Sequence, residues 1–178
     1  MAKPKAKKTR AVVNINSHGS RWILSIDPHM RSMAWAVIDY DTGAPVKSGT
    51  DKLPASYSIP ELCKEWGGWY YDHFTTLERV TVQLVVVEIP DHVRRGINAT
   101  SIIKQSISVG ALLVSFDRRC IEVVMPREWK GRAKKDATDA EAERVLHALS
   151  SNIVMTQHET DAYMMGRWAI ANFVFEEK

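Results

Sequence analysis

The sequence has little cysteine, no long apolar run and a small net charge. Its two cysteines, Cys63 and Cys120, lie in apolar or helical sequence, so we expect both to be reduced and structural. No apolar run approaches the length of about 20 residues that spans a bilayer, and no signal-peptide pattern opens the chain. We therefore expect no membrane partner and a cytoplasmic location. The 178 residues are 45% apolar and 25% charged, which is typical of one ordinary globular domain.

The net charge of +3 hides two basic clusters. Residues 1–10 carry five basic side chains and no acid, and residues 127–135 carry five against Glu128 alone. Such clusters indicate a polyanionic partner such as DNA, although a solvated surface run is the ordinary alternative. Because residues 1–20 also lack hydrophobic periodicity, we expect them to form a flexible basic arm before a single domain over residues 21–178.

Apolar runs and capping patterns predict an α/β chain with one mixed sheet. The first three strands form a meander, and the later strand–helix–strand order favours parallel neighbours. We predict a central sheet of about five strands flanked by helices. The predicted strands are 22–28, 33–39, 46–50, 82–87 and 120–125. The predicted helices are 61–79 with a weak point at Gly67-Gly68, 99–118, one starting at the Thr138-x-x-Glu141 pattern, and one running from the Thr156-x-x-Glu159 pattern to about Phe175.

Two predicted strands end in a carboxylate, Asp27 and Glu88, with a proline close behind each. In the last helix His158 and Asp161 are three residues apart and project from one face. Gathered carboxylates repel each other unless a cation intervenes, and oxygen-rich clusters with one imidazole suit Mg²⁺ or Mn²⁺. Two such ions about 4 Å apart can activate water for phosphodiester hydrolysis. Taken singly, the same residues are also explained as a turn cap, a strand-end charge and a surface histidine.

The order of these motifs resembles the RuvC family of Holliday-junction resolvases, which have the RNase H-like fold. The family's opening strand, Asp-Pro turn and second strand are matched by Ile23–Ile38, with Arg31 three residues after the proline. Its second acidic residue is matched by Glu88, and its final-helix pattern by His158–Ala162. Its basic segment is similar to Lys130–Lys135.

The resemblance covers about residues 22–173 and implies an endonuclease that resolves four-way and other branched DNA by paired symmetric nicks as a homodimer. It implies that two Mg²⁺ or Mn²⁺ ions are held by Asp27, Glu88, His158 and Asp161. It also implies a contact of Lys134 or Lys135 with the scissile phosphate and a dimer face on the helix at 99–118. The side chains that we expect to contact DNA are Arg31, Arg94, Arg95, Lys130, Arg132, Lys134 and Lys135.

Two departures from the family pattern leave the substrate preference open. His29 stands where the family usually has glycine, and Asp91 with His92 stands where an aromatic residue commonly stacks on DNA bases. The missing aromatic residue favours a divergent or viral branch, which in the viral case would act in the host cytoplasm. The alternatives are an RNase H-like nuclease that acts on RNA or DNA flaps, and a catalytically inactive junction-binding protein. The complete set of four metal-ligating residues argues against the inactive form.

Overall fold

The computed structural model of this chain describes residues 11–15, 19–89, 99–116, 121–131, 135–149 and 152–177. Its strands are β1 (Ala11–Ile15), β2 (Trp22–Pro28), β3 (Ser32–Asp39), β4 (Pro45–Lys52), β5 (Val82–Glu88), β6 (Ile121–Val124) and β7 (Phe173–Glu177). Its helices are α1 (Ile59–His73), α2 (Thr76–Thr81), α3 (Ala99–Leu113), α4 (Pro126–Trp129), α5 (Lys135–Ala148) and α6 (Gln157–Asn172).

The centre of the fold is a five-stranded mixed sheet in the order β4-β3-β2-β5-β6. Strand β2 pairs antiparallel with β3 and parallel with β5, and β6 extends the parallel half. The register places Ile26 opposite Val87, so the residues that follow them, Asp27 and Glu88, emerge side by side at one edge. The predicted mixed sheet with flanking helices is therefore confirmed.

Helices cover both faces of this sheet and bury its central strands. On one face the aromatic side of α1 packs with α3 over β2, β3 and β5, and its residues Trp66 and Trp69 are almost fully buried. On the other face α6 packs against β2 and β3 through Ala162, Tyr163 and Met165. Because the central strands are covered on both faces, they read as continuous apolar runs rather than alternating ones.

Close packing and one buried hydrogen bond fix α6 across β2. The hydroxyl of Ser25 donates a 2.6 Å hydrogen bond to the carbonyl of Ala162. Gly166 lies so close to the sheet that a Cβ atom there would collide with the Ile38 side chain and come within 2.9 Å of Ser25 Oγ. The sheet edge and the first turns of α6 are thereby held in one fixed relation.

The break in the first long helix differs from the prediction. We expect a weak point at Gly67-Gly68, but α1 continues through both glycines and ends at His73. A new helix, α2, begins after Thr75, whose side chain accepts from the Glu78 backbone N–H while the Glu78 carboxylate accepts from the Thr75 N–H. This capping box, absent from the prediction, decides where the chain turns.

Of the two predicted capping boxes, one is confirmed and one is wrong. Helix α6 begins directly after Thr156, which forms the box with Glu159. Helix α5 instead begins at Lys135, and Thr138 lies buried inside it. The Thr138 side chain serves packing rather than capping, and a sequence pattern cannot separate these two uses.

The two ends of the chain pair with each other, which corrects two expectations. Within the region predicted as a flexible arm, residues 11–15 form β1, which runs parallel to β7 in a separate two-stranded sheet. Helix α6 accordingly ends at Asn172 instead of continuing to Phe175. Neither strand has a partner nearby in sequence, so local patterns could not reveal the pair. Residues 1–10, with their basic cluster, lie outside the described residues.

The structure describes one of the two cysteines. Cys63 is a free, half-buried thiol on α1, and Cys120 lies outside the described residues. In the part of the chain that the structure describes, no helix has the length and apolarity needed to cross a bilayer.

Candidate metal centre

Asp27 occupies the end of the central strand, where it is buried beside the incoming helix. Its position in β2 is opposite Ala34 of β3, and only 7% of the residue is exposed. Its Oδ2 atom lies 3.1 Å from Nδ1 of His158, which is half-exposed at the start of α6. The predicted meeting of β2 with the His158 helix is thus present.

Glu88 is held at the same edge by a tryptophan that sequence reasoning did not consider. The indole N–H of Trp129 donates a 2.6 Å hydrogen bond to Glu88 Oε2. Burial, and then repulsion from Asp27, raise the pKa of Glu88 to about 7. The Trp129 hydrogen bond and the charge of Lys130 lower this pKa, and the charge of Asp161 raises it further. The charges of Asp27 and Asp161 therefore both affect Glu88, as expected for carboxylates in one site.

Asp161 projects from α6 and is paired with Lys130. The ammonium of Lys130 lies 2.8 Å from Asp161 Oδ2, and it also sits 4.5 Å from the centre of the Trp129 ring. The other carboxylate oxygen, Oδ1, is buried and has no hydrogen-bond partner among the described residues. We predict Lys130 as a DNA-backbone contact, yet its observed partner is a candidate metal ligand.

His29 belongs to the same cluster, although no sequence pattern marks it as a ligand. Its Nε2 atom is 3.8 Å from Asp27 Oδ2, and its ring meets the His158 ring edge-on with centroids 4.9 Å apart. One ligand atom from each of Asp27, His29 and His158 lies within 4.8 Å of the other two. The sequence does contain one sign of this role, a histidine two residues after the aspartate that ends the strand. In the comparison with the family pattern, however, His29 is noted only as standing in place of a glycine.

The remaining predicted residues stand apart from this cluster or outside the described chain. Arg31 donates 2.7 and 2.8 Å hydrogen bonds to the carbonyls of Pro54 and Tyr57, and so holds the loop after β4. Its contact with DNA stays a prediction. Lys135 begins α5, and its side chain is not among the described ones. The predicted residues that lie wholly outside the described ranges are Arg94, Arg95, Arg132 and Lys134.

The donor set fits a divalent cation. Buried polar atoms in proteins nearly always have partners, so an atom without one calls for an explanation. Two such atoms lie here, since neither Asp161 Oδ1 nor His29 Nε2 has a hydrogen-bond partner in the described part of the chain. Carboxylate oxygens and imidazole nitrogens are the ligands that Mg²⁺, Mn²⁺ and related ions use. A cation bound by Asp27, His29 and His158 would give His29 Nε2 a partner and reduce the repulsion from Asp27 that raises the pKa of Glu88.

Comparison with known proteins shows the fold. No protein-family model matches the chain, and no curated protein sequence matches it. RuvC from Thermus thermophilus in complex with a Holliday-junction substrate is similar in structure, with a TM-score of 0.66, 17% identity, and coverage of 83% of this chain and 91% of that one. A second structure of Thermus thermophilus RuvC gives a TM-score of 0.62, 18% identity, and coverage of 83% and 92%. The chain therefore has the RNase H-like fold of RuvC, as the sequence predicts.

Proposed function

We propose that this chain is a divalent-metal-dependent endonuclease that cuts branched DNA, above all four-way junctions. The observation that supports this most strongly is the 3.1 Å contact of Asp27 with His158 at one edge of a RuvC-like sheet, with Glu88 near enough to Asp27 and Asp161 for their charges to raise its pKa. Asp27 and Glu88 end adjacent parallel strands, and α6 brings His158 and Asp161 to them. Three distant segments of the chain supply this one polar cluster, which favours a site over a set of incidental surface charges.

The chemistry follows from what such a cluster can hold. When bound, divalent ions would activate a water and stabilise the leaving oxygen of a phosphodiester. Asp27, Glu88, His158 and Asp161 would hold the ions, with the Trp129 indole orienting the Glu88 carboxylate. Lys130 places a positive charge beside Asp161, where the phosphate backbone of DNA would approach. The contact of Lys134 or Lys135 with the scissile phosphate belongs to this proposal.

Paired symmetric nicks require two identical sites related by a twofold axis, so the proposal includes a homodimer. Helix α3 supports it, because Ile103 and Ile107 lie one turn apart and are 59% and 39% exposed. Light scattering should show a dimer of the full chain, and Ile103→Glu with Ile107→Glu should yield a folded monomer. Leu77→Glu, at an exposed apolar position on α2, is the matched control and should leave the dimer intact. A monomeric wild type would remove the dimer from the proposal.

A cleavage assay separates this function from its alternatives. The full chain with Mg²⁺ or Mn²⁺ should nick a four-way junction faster than a flap, a linear duplex or an RNA–DNA hybrid. Preferential cutting of the flap or the hybrid would favour the other RNase H-like activities. Junction binding without any cutting would favour the inactive binding protein.

Substitution of the acidic ligands tests the site itself. Asp27→Asn and Asp161→Asn should each abolish nicking and leave junction affinity equal or higher, since a negative charge facing the phosphate is removed. Asp41→Asn is the matched control, because Asp41 is exposed in a turn and paired with Arg21 away from the cluster. If either ligand variant cuts at the wild-type rate, the assignment of the metal centre is wrong.

A further inference from the structure

We propose that His29 is an additional nitrogen ligand of the metal centre, which makes this site selective for Mn²⁺ over Mg²⁺. This inference rests on the proposed function, since it concerns the ion that the same site binds. The site would present two imidazoles and one carboxylate from Asp27, His29 and His158, with Glu88 and Asp161 beside them.

The distances within the trio are close to those of ligands around one ion. Metal–ligand bonds of about 2.1 Å place neighbouring ligand atoms about 3.0 Å apart in octahedral geometry and about 3.4 Å apart in tetrahedral geometry. The His158 Nδ1 to Asp27 Oδ2 distance of 3.1 Å already falls in this range. The His29 Nε2 to Asp27 Oδ2 distance of 3.8 Å needs a contraction of less than about 1 Å to fall in this range.

The backbone fixes His29 in position to act as a ligand. Pro28 restricts the chain directly after Asp27, and the His29 backbone N–H donates a 2.7 Å hydrogen bond to the carbonyl of Ser32. This tight turn holds the His29 ring against the His158 ring. The His29 Nε2 atom is nevertheless buried without a hydrogen-bond partner among the described residues, and at 3.8 Å its approach to Asp27 is longer than a hydrogen bond. A metal ion is the partner that this nitrogen lacks.

The ligand chemistry selects the ion. Mg²⁺ prefers oxygen ligands in a strict octahedron and keeps much of its water, so a second imidazole contributes little to its binding. First-row transition ions accept imidazole readily, and Mn²⁺ accepts carboxylates as well. The imidazole of His29 therefore raises the affinity of the metal centre for Mn²⁺ more than its affinity for Mg²⁺.

Metal binding to the DNA-free full chain tests the inference without relying on activity. His29→Phe keeps the ring contact with His158 but removes the nitrogen, and His29→Ala removes the ring altogether. His147→Ala, at an exposed position near the end of α5, is the matched control. Calorimetric titration should show that both His29 variants lose at least about tenfold in Mn²⁺ affinity, the lower end of the loss for even an outer-shell partner. Their Mg²⁺ affinity should change little, and the control should match wild type for both ions.

Electron spin-echo measurements on bound Mn²⁺ count the nitrogen ligands directly. The wild type should show coupling to two imidazole nitrogens, and either His29 variant to one. Two nitrogens or an unchanged Mn²⁺ affinity in both variants would overturn the role of His29 while leaving the proposed nuclease intact. The Asp27→Asn variant separates the two failures: if it too binds Mn²⁺ like the wild type, the metal centre itself is wrong.

Discussion

The indole N–H of Trp129 donates a 2.6 Å hydrogen bond to Oε2 of Glu88, and so joins helix α4 to the end of strand β5. The two residues are 41 positions apart in the sequence. Trp129 closes the one-turn helix that Pro126 opens, and its neighbour Lys130 reaches Asp161. One short segment thus contacts two of the candidate ligands and holds both carboxylates in place.

The raised pKa of Glu88 predicts a pH-dependent stability of the metal-free protein. Burial and the charge of Asp27 raise this pKa from 4.5 to about 7. Between pH 4.5 and pH 7 the folded chain therefore keeps a proton on Glu88 that the unfolded chain has released. The stability that this proton provides is complete below about pH 4.5 and is lost as the pH rises through about 7. Chemical denaturation in the presence of a chelator should show a loss of up to about 3 kcal/mol from this group.

Two variants check that Glu88 is the responsible group. Glu88→Gln cannot ionise, so its stability should fall less between pH 5 and pH 8. Trp129→Phe removes the hydrogen bond that lowers the pKa of Glu88, and should move the transition to higher pH. A Glu88→Gln variant with the wild-type pH profile would show that another group is titrating.

The contact of Gly166 with the sheet predicts a large effect of a single methyl group. Gly166→Ala would place a Cβ against Ile38 and Ser25, and should destabilise the fold by about 1–3 kcal/mol through overpacking. Because α6 also carries His158 and Asp161, cleavage should fall as well. Gly67→Ala in α1 is the matched control, since the added methyl group would lie at an ordinary contact distance of 3.7 Å from its nearest described neighbour, the Ala111 carbonyl oxygen. It should be neutral or stabilise by up to about 1 kcal/mol. Equal stabilities of the two variants in denaturation would contradict the tight packing of α6.

The basic segment predicts a change in the salt dependence of DNA binding. Removal of one phosphate contact should flatten the plot of log affinity against log salt concentration by about 0.9 for duplex arms. The double variant Lys134→Ala, Lys135→Ala should show this flattening together with slower cleavage. Lys64→Ala is a suitable control because Lys64 is exposed on α1, on the other face of the sheet from α6. A double variant with the wild-type salt slope and cleavage rate would refute the role of the segment.

If His158 is a metal ligand, its replacement by aspartate and its replacement by alanine should affect cleavage differently. The family pattern accepts aspartate at this position, so His158→Asp should retain cleavage and shift the rate ratio towards Mg²⁺. His158→Ala should lose most of the activity with either ion, because it removes the nitrogen ligand that lies 3.1 Å from Asp27 Oδ2. Rates measured with Mg²⁺ and Mn²⁺ for both variants decide the point. Wild-type rates for the alanine variant would make His158 a surface histidine.

Much of the site could be predicted because its signals are local. Asp27 follows an apolar strand and precedes a proline, Glu88 ends a valine-rich strand, and His158 and Asp161 share one helical face. Parallel pairing of β2 with β5 then brings the two strand ends together without further information. The family resemblance implies that these four residues are metal ligands, and this role is part of the proposal.

Local sequence is enough to predict the central strands, the capped start of α6 and the choice of four candidate ligands, because burial, backbone restriction and capping act over a few neighbouring positions. Three other features become visible only in the folded chain: the contact of His29 with His158, the pairing of Lys130 with Asp161 and the pairing of β1 with β7. These contacts depend on where distant segments lie after the core has packed. Their energies come from distance and desolvation, which no single stretch of sequence contains.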